Sequence, residues 1–430
     1  MKNTISDRSK YKQGVYYMKK SNIFYGWWVV LGTAILLAVL GPAAVAVANI
    51  YQTPIVAQYG ITNSQFAISN SLVLGVGIFL SPIVSKRLSG DNFKRNYIIS
   101  LIIYALAYVG YGLTTDRYVF YFLSLFVGFG SLSTTIIPAS ILISNWFVNK
   151  RGFALSLAFS GLGIGGVVFS QLVTFLINTF NYQVAYIVYG SLMLLIGLPV
   201  ILFLIKVKPE DMGLTPYSTE DSVYKKSDNT FDADEEKPTS SKSIKSTHFV
   251  LLLIGAALVG IVNNSGFGQF PPVLTNLHGD ATAAIIISVY SGIGIIGKIA
   301  LGHINDRYGA IKSTIYATTL LALAYFAMLF SEQIVIAFVM AILFGLGNAI
   351  GTVLPPLITS EIYSDESYSL AYGYVNSGVQ LGMTIGSLYA AGVADFTGSY
   401  NYSWMSIILF SILIGVLWVT AYKKAQTSKI

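Results

Sequence analysis

The stretch Ser288–Gly309, SVYSGIGIIGKIALGHINDRYG, joins a long apolar run to a short charged end. Lys298 lies inside the run, with apolar or glycine neighbours for a turn or more on each side. A charge in hydrocarbon costs about 2.5 kcal/mol or more, so such residues usually face the interior of a bundle or a wet cavity. We therefore predict a membrane-spanning helix whose Lys298 faces a cavity and meets an anionic small molecule.

The composition of the whole chain extends this prediction. Of 430 residues, 54% are hydrophobic and 10% are charged, whereas soluble proteins are about 25% charged. The apolar segments are continuous runs of about 20 residues, enough for a helix to cross a bilayer, and not the short alternating segments of a β-barrel. We predict an all-α membrane protein with twelve transmembrane helices. The predicted spans 1 to 12 cover residues 25–48, 63–85, 97–114, 118–144, 152–178, 183–206, 248–274, 281–304, 312–330, 333–360, 368–394 and 401–422.

The polar segments divide these spans into two sets of six. A polar, basic tail precedes span 1, and a long Ser-, Lys-, Asp- and Glu-rich segment separates span 6 from span 7. Its composition does not support a hydrophobic core, so we expect a largely disordered linker. The predicted parts are a tail (1–24), a six-helix bundle (25–207), a linker loop (208–247), a second six-helix bundle (248–424) and a short tail (425–430).

The two sets of spans resemble each other. Gly128-Phe129-Gly130 is followed by Pro138, and Gly345-Leu346-Gly347 is followed at the same spacing by Pro355. We call the number of residues from Gly128 to Gly345 the repeat offset. In span 1 and span 7, the first spans of the two halves, matching residues are separated by slightly more than this offset. Parallel six-helix repeats place a substrate site near the midplane between them, and one half rocks against the other. The repeat therefore predicts two pseudo-symmetric bundles that work by alternating access.

The positive charges set the orientation. Apart from Arg117 and Lys298, every Lys and Arg lies in a terminus or in a loop after an even-numbered span. Cytoplasmic loops carry this excess, so we predict a multi-pass protein of the cell membrane with both termini in the cytoplasm. The basic residues follow membrane topology, so the net charge of +7 does not indicate nucleic-acid binding.

Catalytic and metal-binding chemistry finds no support in the sequence. There is no cysteine, and His248, His278 and His303 do not have the spacing of metal ligands. Two G-x-G-x-x-G matches, at Gly161–Gly166 and Gly292–Gly297, lie inside apolar spans, where small residues let helices approach closely. No nucleophile paired with a base is visible, so we expect neither an enzyme nor a bound metal or cofactor.

Several uncharged polar residues are further candidates for the cavity wall. Ser291 shares a helical stripe with Lys298, and Tyr290 lies one position away. The other candidates are Asn49 and Gln52 in span 1, Asn264 and Gln269 in span 7, and Asn376 and Gln380 in span 11. The alternative for these amides is hydrogen bonding between helices. The alternative for Lys298 is that its long stem lifts the ammonium to the cytoplasmic headgroups.

Gly302-His303-Ile304-Asn305-Asp306-Arg307-Tyr308-Gly309 fits G-x-x-x-D-R-x-G, the loop signature of the major facilitator superfamily, and lies after span 8. The resemblance implies that this loop latches neighbouring helix ends, through Gly302, Asp306, Arg307 and Gly309. The corresponding place after span 2 is degenerate, and we expect Ser85 to stand where the signature has Asp.

Three shorter motifs resemble the oxalate–formate antiporters and the related monocarboxylate porters. They are Tyr25-Gly26-Trp27-Trp28, Asn145–Gly152 (NWFVNKRG) and Lys208–Leu214 (KPEDMGL). The resemblance implies a basic residue in span 8 that binds the substrate carboxylate, here Lys298. Unlike the oxalate transporters, span 11 has no second basic residue, which favours a monoanion. Gly294 replaces the acidic residue that monocarboxylate porters often carry one turn earlier for proton coupling.

We therefore expect a secondary active or exchange transporter of a small organic anion, namely a monocarboxylate, that works as a monomer. A co-transported proton or a counter-anion would balance the charge. One alternative is an exporter of neutral or cationic molecules with Lys298 at the headgroups. The other is a membrane sensor or scaffold that docks partners through residues 208–247 and transports nothing.

Overall fold

The computed structural model describes residues 24–44, 47–61, 63–218, 246–363 and 365–427. Residues 1–23 of the predicted N-terminal tail, 219–245 of the predicted linker and 428–430 of the C-terminal tail lie outside the described residues. The described chain is almost entirely helical, and its β-type pairing is an isolated bridge between Phe147 and Tyr217.

The helices of the first half begin at residue 26. They are α1 Gly26–Ala44, α2 Gln52–Tyr59, α3 Asn63–Leu88, α4 Phe93–Leu113, α5 Arg117–Thr134, α6 Ile136–Trp146, α7 Arg151–Thr179 and α8 Tyr182–Pro199. The second half contains α9 Thr247–His278, α10 Asp280–Met328, α11 Ile334–Gly347, α12 Leu354–Ile362, α13 Asp365–Thr397 and α14 Tyr400–Thr427. Short 3₁₀ segments cover Ala48–Tyr51, Pro209–Met212 and Asn348–Gly351, and a π-helical turn covers Val200–Leu204.

These helices make the twelve crossings that the sequence predicts. Ten segments of the described chain are long and apolar enough to span a membrane. One of them, within α10, is 48 residues long and crosses twice, because Gly309 breaks the helix with φ 80° and ψ 172°. That positive φ suits glycine, which has no Cβ to clash. The twelfth crossing is α13, the predicted span 11, which is more polar than these ten segments.

The structure interrupts three predicted spans that the sequence interpretation treated as continuous. Span 1 runs as α1, a 3₁₀ turn and α2; span 4 breaks at Thr135; and span 10 breaks at Asn348–Gly351. In span 4, Pro138 has no N–H for the carbonyl of Thr134, four residues earlier. The hydroxyl of Tyr97 donates to that carbonyl instead, at 3.0 Å. The break is therefore stabilised from span 3.

Removing this hydroxyl is expected to destabilise the first half. Tyr97 is 1% exposed, so Tyr97→Phe leaves a buried carbonyl without a donor and should lower the free energy of unfolding by about 1–3 kcal/mol. Thermal unfolding of the purified protein in detergent measures the change. Tyr118→Phe is the matched control, because Tyr118 is 66% exposed. Equal melting temperatures for the two variants would contradict this account of the break.

The predicted repeat is confirmed by the way glycines pack between helices. A Cβ on Gly128 would lie 2.5 Å from the carbonyl oxygen of Val73, and a Cβ on Gly345 would lie 2.8 Å from that of Tyr290. Val73 and Tyr290 are separated by the repeat offset, as Gly128 and Gly345 are. Spans 2 and 4 therefore pack as spans 8 and 10 do.

Spans 1 and 5 pack in the same way as spans 7 and 11. Gly161 lies against the carbonyl of Ala34, and Gly378 lies against the carbonyl of Leu253. The two glycines are separated by the repeat offset, and the residues they contact lie slightly farther apart, as the sequence predicts for the first spans of each half. The two halves are therefore structural repeats.

The start of the predicted linker is packed against the first half. Residues Pro209–Met212 form a 3₁₀ turn. Tyr217 then donates its N–H to the carbonyl of Trp146 at 2.8 Å and accepts from the N–H groups of Val148 and Asn149 at 3.1 and 3.0 Å. Two motifs noted in the sequence, Asn145–Gly152 and Lys208–Leu214, thus lie next to each other and fix the loop between spans 4 and 5.

Candidate functional site

Two ends of the bundle are distinguished by charge. The loops after spans 2, 4 and 8 lie at one end, together with the segment after span 6, because successive crossings alternate in direction. We call this the basic end, since these loops carry most of the Lys and Arg residues, and we call the other the opposite end.

The two halves contact each other mainly through two helix pairs, spans 2 and 11 and spans 5 and 8. A Cβ on Gly77 in span 2 would lie 2.8 Å from Nε2 of Gln380 in span 11. A Cβ on Gly163 in span 5 would lie 2.9 Å from Cγ1 of Ile295 in span 8. We call these the crossing points. From them, contacts continue toward the basic end along both helix pairs.

The charged loop after span 8 joins the halves at the basic end. The Oδ1 and Oδ2 atoms of Asp306 accept hydrogen bonds from the N–H groups of Gly152 at 2.7 Å and Phe153 at 2.8 Å. These N–H groups belong to the first turn of α7, where a helix leaves donors unpaired and favours negative charge. Gly152 and Gly302 both allow this approach. A Cβ on Gly152 would lie 2.5 Å from the carbonyl oxygen of Gly302, and a Cβ on Gly302 would collide with the carbonyl oxygen of Gly152.

The other two predicted latch residues have different surroundings. The guanidinium of Arg307 lies 5.3 Å from the ring centroid of Tyr308, its neighbour in the chain. Gly309 provides the turn between spans 8 and 9. Within the described contacts, therefore, Gly302 and Asp306 reach the first half, whereas Arg307 and Gly309 shape the loop.

A hydrogen-bonded group holds the loop that carries Asp306. Ser313 donates to Oδ1 of Asn305 at 2.9 Å, and Nδ2 of Asn305 donates to Oε1 of Glu361 at 3.1 Å. Burial raises the pKa of the Glu361 carboxyl, while the hydrogen bond from Asn305 lowers it. The ends of spans 8, 9 and 10 are thereby tied together, which fixes the position of Asp306.

The corresponding contact in the other half uses serine. Ser85 in span 2 donates to the carbonyl of Ser369 in span 11. By the repeat offset, Ser85 corresponds to Gly302 and Ser369 corresponds to Gly152, the pair that packs between spans 5 and 8. Ser85 is therefore the counterpart of Gly302.

The expectation that Ser85 stands in place of the signature aspartate was wrong by four residues. With Ser85 matched to Gly302, the counterpart of Asp306 is Ser89. The Ser89 hydroxyl donates to the carbonyl of Ser85 in its own helix, at 2.7 Å. The degenerate copy was misaligned because its Ser-rich sequence offers two registers, and only the contacts between helices distinguish them.

Toward the opposite end, the same face of span 8 is exposed. Ser288 lies seven residues before Ile295, so the two share one helix face. Ile295 contacts the first half, whereas Ser288 and Ser291 are exposed. The halves therefore separate above the crossing points, and the space between them is open at the opposite end.

Lys298 lies on the interior side of span 8. Ile285 and Ile296, 56% and 58% exposed, mark the outer side. At 3.6 residues per turn, Lys298 is about 140–160° from these two residues and about 40° from Gly302, which packs against the first half. The side chain of Lys298 is partly buried, and no described carboxylate or hydrogen-bond acceptor partners its ammonium.

The repeat gives the same placement. By the repeat offset, the counterpart of Lys298 is Ser81. Ser81 is fully buried and accepts a hydrogen bond from Nδ2 of Asn376 in the other half, at 2.9 Å. The counterpart of Asn376 is Phe159 in span 5. Repeat symmetry therefore directs position 298 toward span 5 at the level of Phe159.

Two of the candidate amides join helices within the second half. Nε2 of Gln269 donates to Oγ of Ser387 at 2.8 Å, and Oε1 of Gln269 accepts from the hydroxyl of Tyr400 at 2.8 Å. Nδ2 of Asn264 donates to the carbonyl of Met383 at 2.5 Å. These contacts match the alternative interpretation, hydrogen bonding between helices, so both residues are weak candidates for binding.

The remaining candidates occupy different levels. Asn49 and Gln52 follow the break in span 1 near the opposite end, where Oδ1 of Asn49 accepts from Nδ2 of Asn70 at 3.2 Å. Gln380 lies at a crossing point. In span 8, Tyr290 is 3% exposed and faces its own half. The structure thus brings Lys298, Ser291 and Gln380 nearest to the base of the open space, and their role in binding stays a prediction.

The sequence interpretation missed Asn348. It begins the 3₁₀ turn that interrupts span 10, and its side-chain amide lies beside Gly294, one turn from Lys298. The sequence did contain a signal for Asn348, because this residue directly follows the repeated motif Gly345-Leu346-Gly347. From sequence alone, however, an asparagine in an apolar span is hard to distinguish from one that forms hydrogen bonds between helices.

The described residues contain no group of three or more His, Cys, Asp or Glu side chains that could hold a metal ion. Lys298 is the one Lys, Arg, Asp or Glu residue that lies well inside a predicted apolar span.

Known proteins resemble this chain along nearly its whole length. The sequence model of the Major Facilitator Superfamily matches residues 23–359 and 252–429. Monocarboxylate transporter 12 of Rattus norvegicus is 22% identical over 420 residues, which cover 91% of this chain and 85% of that protein. The uncharacterized MFS-type transporter YhjX of Escherichia coli K12 is 24% identical over 376 residues, which cover 84% and 86%.

Solved structures share the fold. The proton:xylose symporter XylE, bound to 6-bromo-6-deoxy-D-glucose, superposes with a TM-score of 0.71 at 12% identity, covering 91% of this chain and 94% of that one. A bacterial homolog of the human lysosomal transporter Spinster, inward-facing and unoccupied, superposes with a TM-score of 0.59 at 14% identity, covering 95% and 99%. The twelve crossings, the two repeats and the matching family model together establish that the chain belongs to the major facilitator superfamily of membrane transporters.

Proposed function

We propose that this protein transports a small organic monoanion, a monocarboxylate, by alternating access. The observation that carries the proposal is Lys298, which lies on the interior side of span 8 without a described carboxylate partner. An unpaired cation at this depth is costly, and an anionic substrate would supply the missing counter-charge.

The direction of the side chain supports a substrate contact. Side chains on an α-helix lean toward the helix N-terminus, and span 8 begins at the opposite end of the bundle. We therefore expect the ammonium of Lys298 to extend toward Gly294 and Ser291, where the open space begins. Snorkelling to the basic end would require the stem to reverse this direction.

The positive-inside rule relates this geometry to the membrane. Basic loops mark the cytoplasmic side, so the basic end is the cytoplasmic end in this proposal, and the structure represents an outward-open state. Transport then requires the contacts of Asp306 with Gly152 and Phe153 to break as the halves close at the other end. These two bonds would be the latch of the outward-open state.

The single cation favours a monoanion. Span 11 carries no Lys or Arg between Tyr368 and Ala394, so a second carboxylate would enter the site without a counter-charge. The relative named monocarboxylate transporter 12 agrees with this class of substrate. Because no acidic residue lies within a span, we expect electroneutrality to come from a proton carried with the substrate or from exchange against a second anion.

Uptake into liposomes tests the proposal against its alternatives. Purified protein would be reconstituted, and the uptake of labelled acetate, lactate, oxalate, glucose and tetraethylammonium would be compared with that of protein-free liposomes. We expect uptake of acetate or lactate that excess unlabelled monocarboxylate inhibits, and little uptake of the dianion, sugar or cation.

Two outcomes would contradict the proposal. Uptake of glucose or tetraethylammonium alone would favour the exporter of neutral or cationic molecules. Protein that is folded, as judged by its melting curve, but moves none of the five compounds, either inward or in exchange, would favour the sensor or scaffold.

A further inference from the structure

The break in span 10 places an asparagine at the level of Lys298. The 3₁₀ turn Asn348–Gly351 interrupts the span, and α12 begins only at Leu354. Within a membrane, irregular backbone is tolerated only where protein or a water-filled cavity surrounds it. In transporters built from repeats, such interrupted helices near the midplane form the substrate site.

The side chain of Asn348 faces span 8 one turn from Lys298. Both Nδ2 and Oδ1 lie 3.5 Å from the position that a Cβ of Gly294 would occupy. Residues four apart on a helix are neighbours on its surface, about 5–6 Å apart, so the Cβ of Lys298 lies one helical turn from the position beside this amide. Because Gly294 has no side chain, the space between Asn348 and Lys298 is not filled from span 8.

Asn348 is also free to bind. The side chain is partly buried, and within the described chain its amide makes no hydrogen bond, unlike those of Asn264 and Gln269. A partly buried amide without a partner in the described chain can form hydrogen bonds with a ligand. Lys298 and Asn348 thus combine an ammonium, which only donates hydrogen bonds, with an amide, which both donates and accepts them.

The first half lacks this arrangement. The counterparts of Asn348, Gly294 and Lys298 are Ser131, Gly77 and Ser81. The space beside Gly77 is taken by Gln380 from the other half, with Nε2 2.8 Å from the position of a Cβ. Among the described residues, therefore, the two repeats differ here: in the second half an amide without a hydrogen-bond partner lies beside the glycine one turn before the cation.

We propose that Asn348 positions the substrate: its Nδ2–H donates to one carboxylate oxygen while the ammonium of Lys298 binds the other. This inference rests on the proposed function. A neutral amide in the second position favours a monoanion, because it supplies a hydrogen bond without a second positive charge. It also orients the carboxylate, which a flexible ammonium alone does not.

Acetate uptake into liposomes, with KM and maximal rate measured separately, tests the inference. Asn348→Leu keeps the size and removes the hydrogen bond, and we expect KM to rise about tenfold with little change in the maximal rate. Asn348→Asp places a carboxylate beside Lys298, where it would pair with the ammonium in place of the substrate, and we expect acetate uptake at pH 7.5 to fall at least about tenfold. Ser131→Ala, at the repeat-related position, is the control and should keep KM within twofold.

The outcomes separate this inference from the function on which it rests. If Lys298→Gln abolishes acetate uptake while both Asn348 variants keep the wild-type KM and maximal rate, the positioning role is wrong and the proposed function stands. If Lys298→Gln transports acetate normally, the proposed function fails and the inference fails with it. If Asn348→Leu does not fold, acetate uptake by Asn348→Asp at pH 7.5 decides, and uptake equal to that of the wild type overturns the inference.

Discussion

The substitution Gly302→Val is expected to stop the transport cycle while leaving both six-helix bundles folded. Gly302 packs against the carbonyl of Gly152 and the hydroxyl of Ser156 in the other half, so closely that any Cβ would collide with them. Overpacking a close contact typically costs about 1–3 kcal/mol. This cost falls only on the state in which the basic end is closed, so we expect the ratio of outward-open to inward-open protein to fall about 5–150-fold.

The absence of cysteine makes this prediction easy to measure. A single cysteine at Ser288, which is exposed in the present state, would be labelled in proteoliposomes by a membrane-impermeant maleimide. We expect labelling through the opposite end to slow by about tenfold in the Gly302→Val background. Asp306→Asn should have a smaller effect in the same direction, because an amide offers one acceptor where the carboxylate offers two.

Gly292→Val is the matched control for this experiment. Gly292 lies in the same span, but nothing lies within 4 Å of the position of its Cβ. Labelling at position 288 should therefore remain at the wild-type rate. If Gly302→Val, Asp306→Asn and Gly292→Val were all labelled at the wild-type rate, the basic-end contact would not control the opening of the cavity.

The fold was predictable because its signals repeat along the sequence. Continuous apolar runs identified the crossings, and the repeat offset, seen first in Gly128 and Gly345, recurs in the contacts of these glycines with spans 2 and 8. Span 11 was predicted in the same way as the others, although the structure shows that α13 is not among the ten most clearly apolar segments of the described chain. Local composition and internal symmetry thus supported the same architecture.

Features that depend on single contacts between helices were not predictable. The break at Thr135 requires Tyr97 of span 3 to satisfy the freed carbonyl. The order in residues 209–217 depends on backbone pairing with the loop after span 4, and composition alone suggested disorder. At the candidate site, the cost of a buried charge singled out Lys298, whereas only the structure separates Asn348 from helix-joining amides such as Gln269.

We expect substitution of Lys298 to have the largest effect on transport. Two unit charges 4 Å apart interact by about 4 kcal/mol at an effective dielectric constant of 20. If a variant without the ammonium lost only half of this interaction energy with the substrate, its affinity would fall about thirtyfold, since each 1.4 kcal/mol is a factor of ten. We therefore expect Lys298→Cys to reduce acetate uptake at least about thirtyfold at low substrate concentration, with a normal melting curve.

The most direct measurement of the central claim is chemical rescue of Lys298→Cys. In this otherwise cysteine-free protein, 2-aminoethyl methanethiosulfonate attaches an ammonium through a linker close to the length of lysine, whereas methyl methanethiosulfonate attaches a neutral group. If Lys298 binds the anion within the cavity, the first reagent restores acetate uptake, the second does not, and acetate slows both modifications. Uptake that is unchanged by the loss of Lys298, or is restored equally by the two reagents, would contradict the claim.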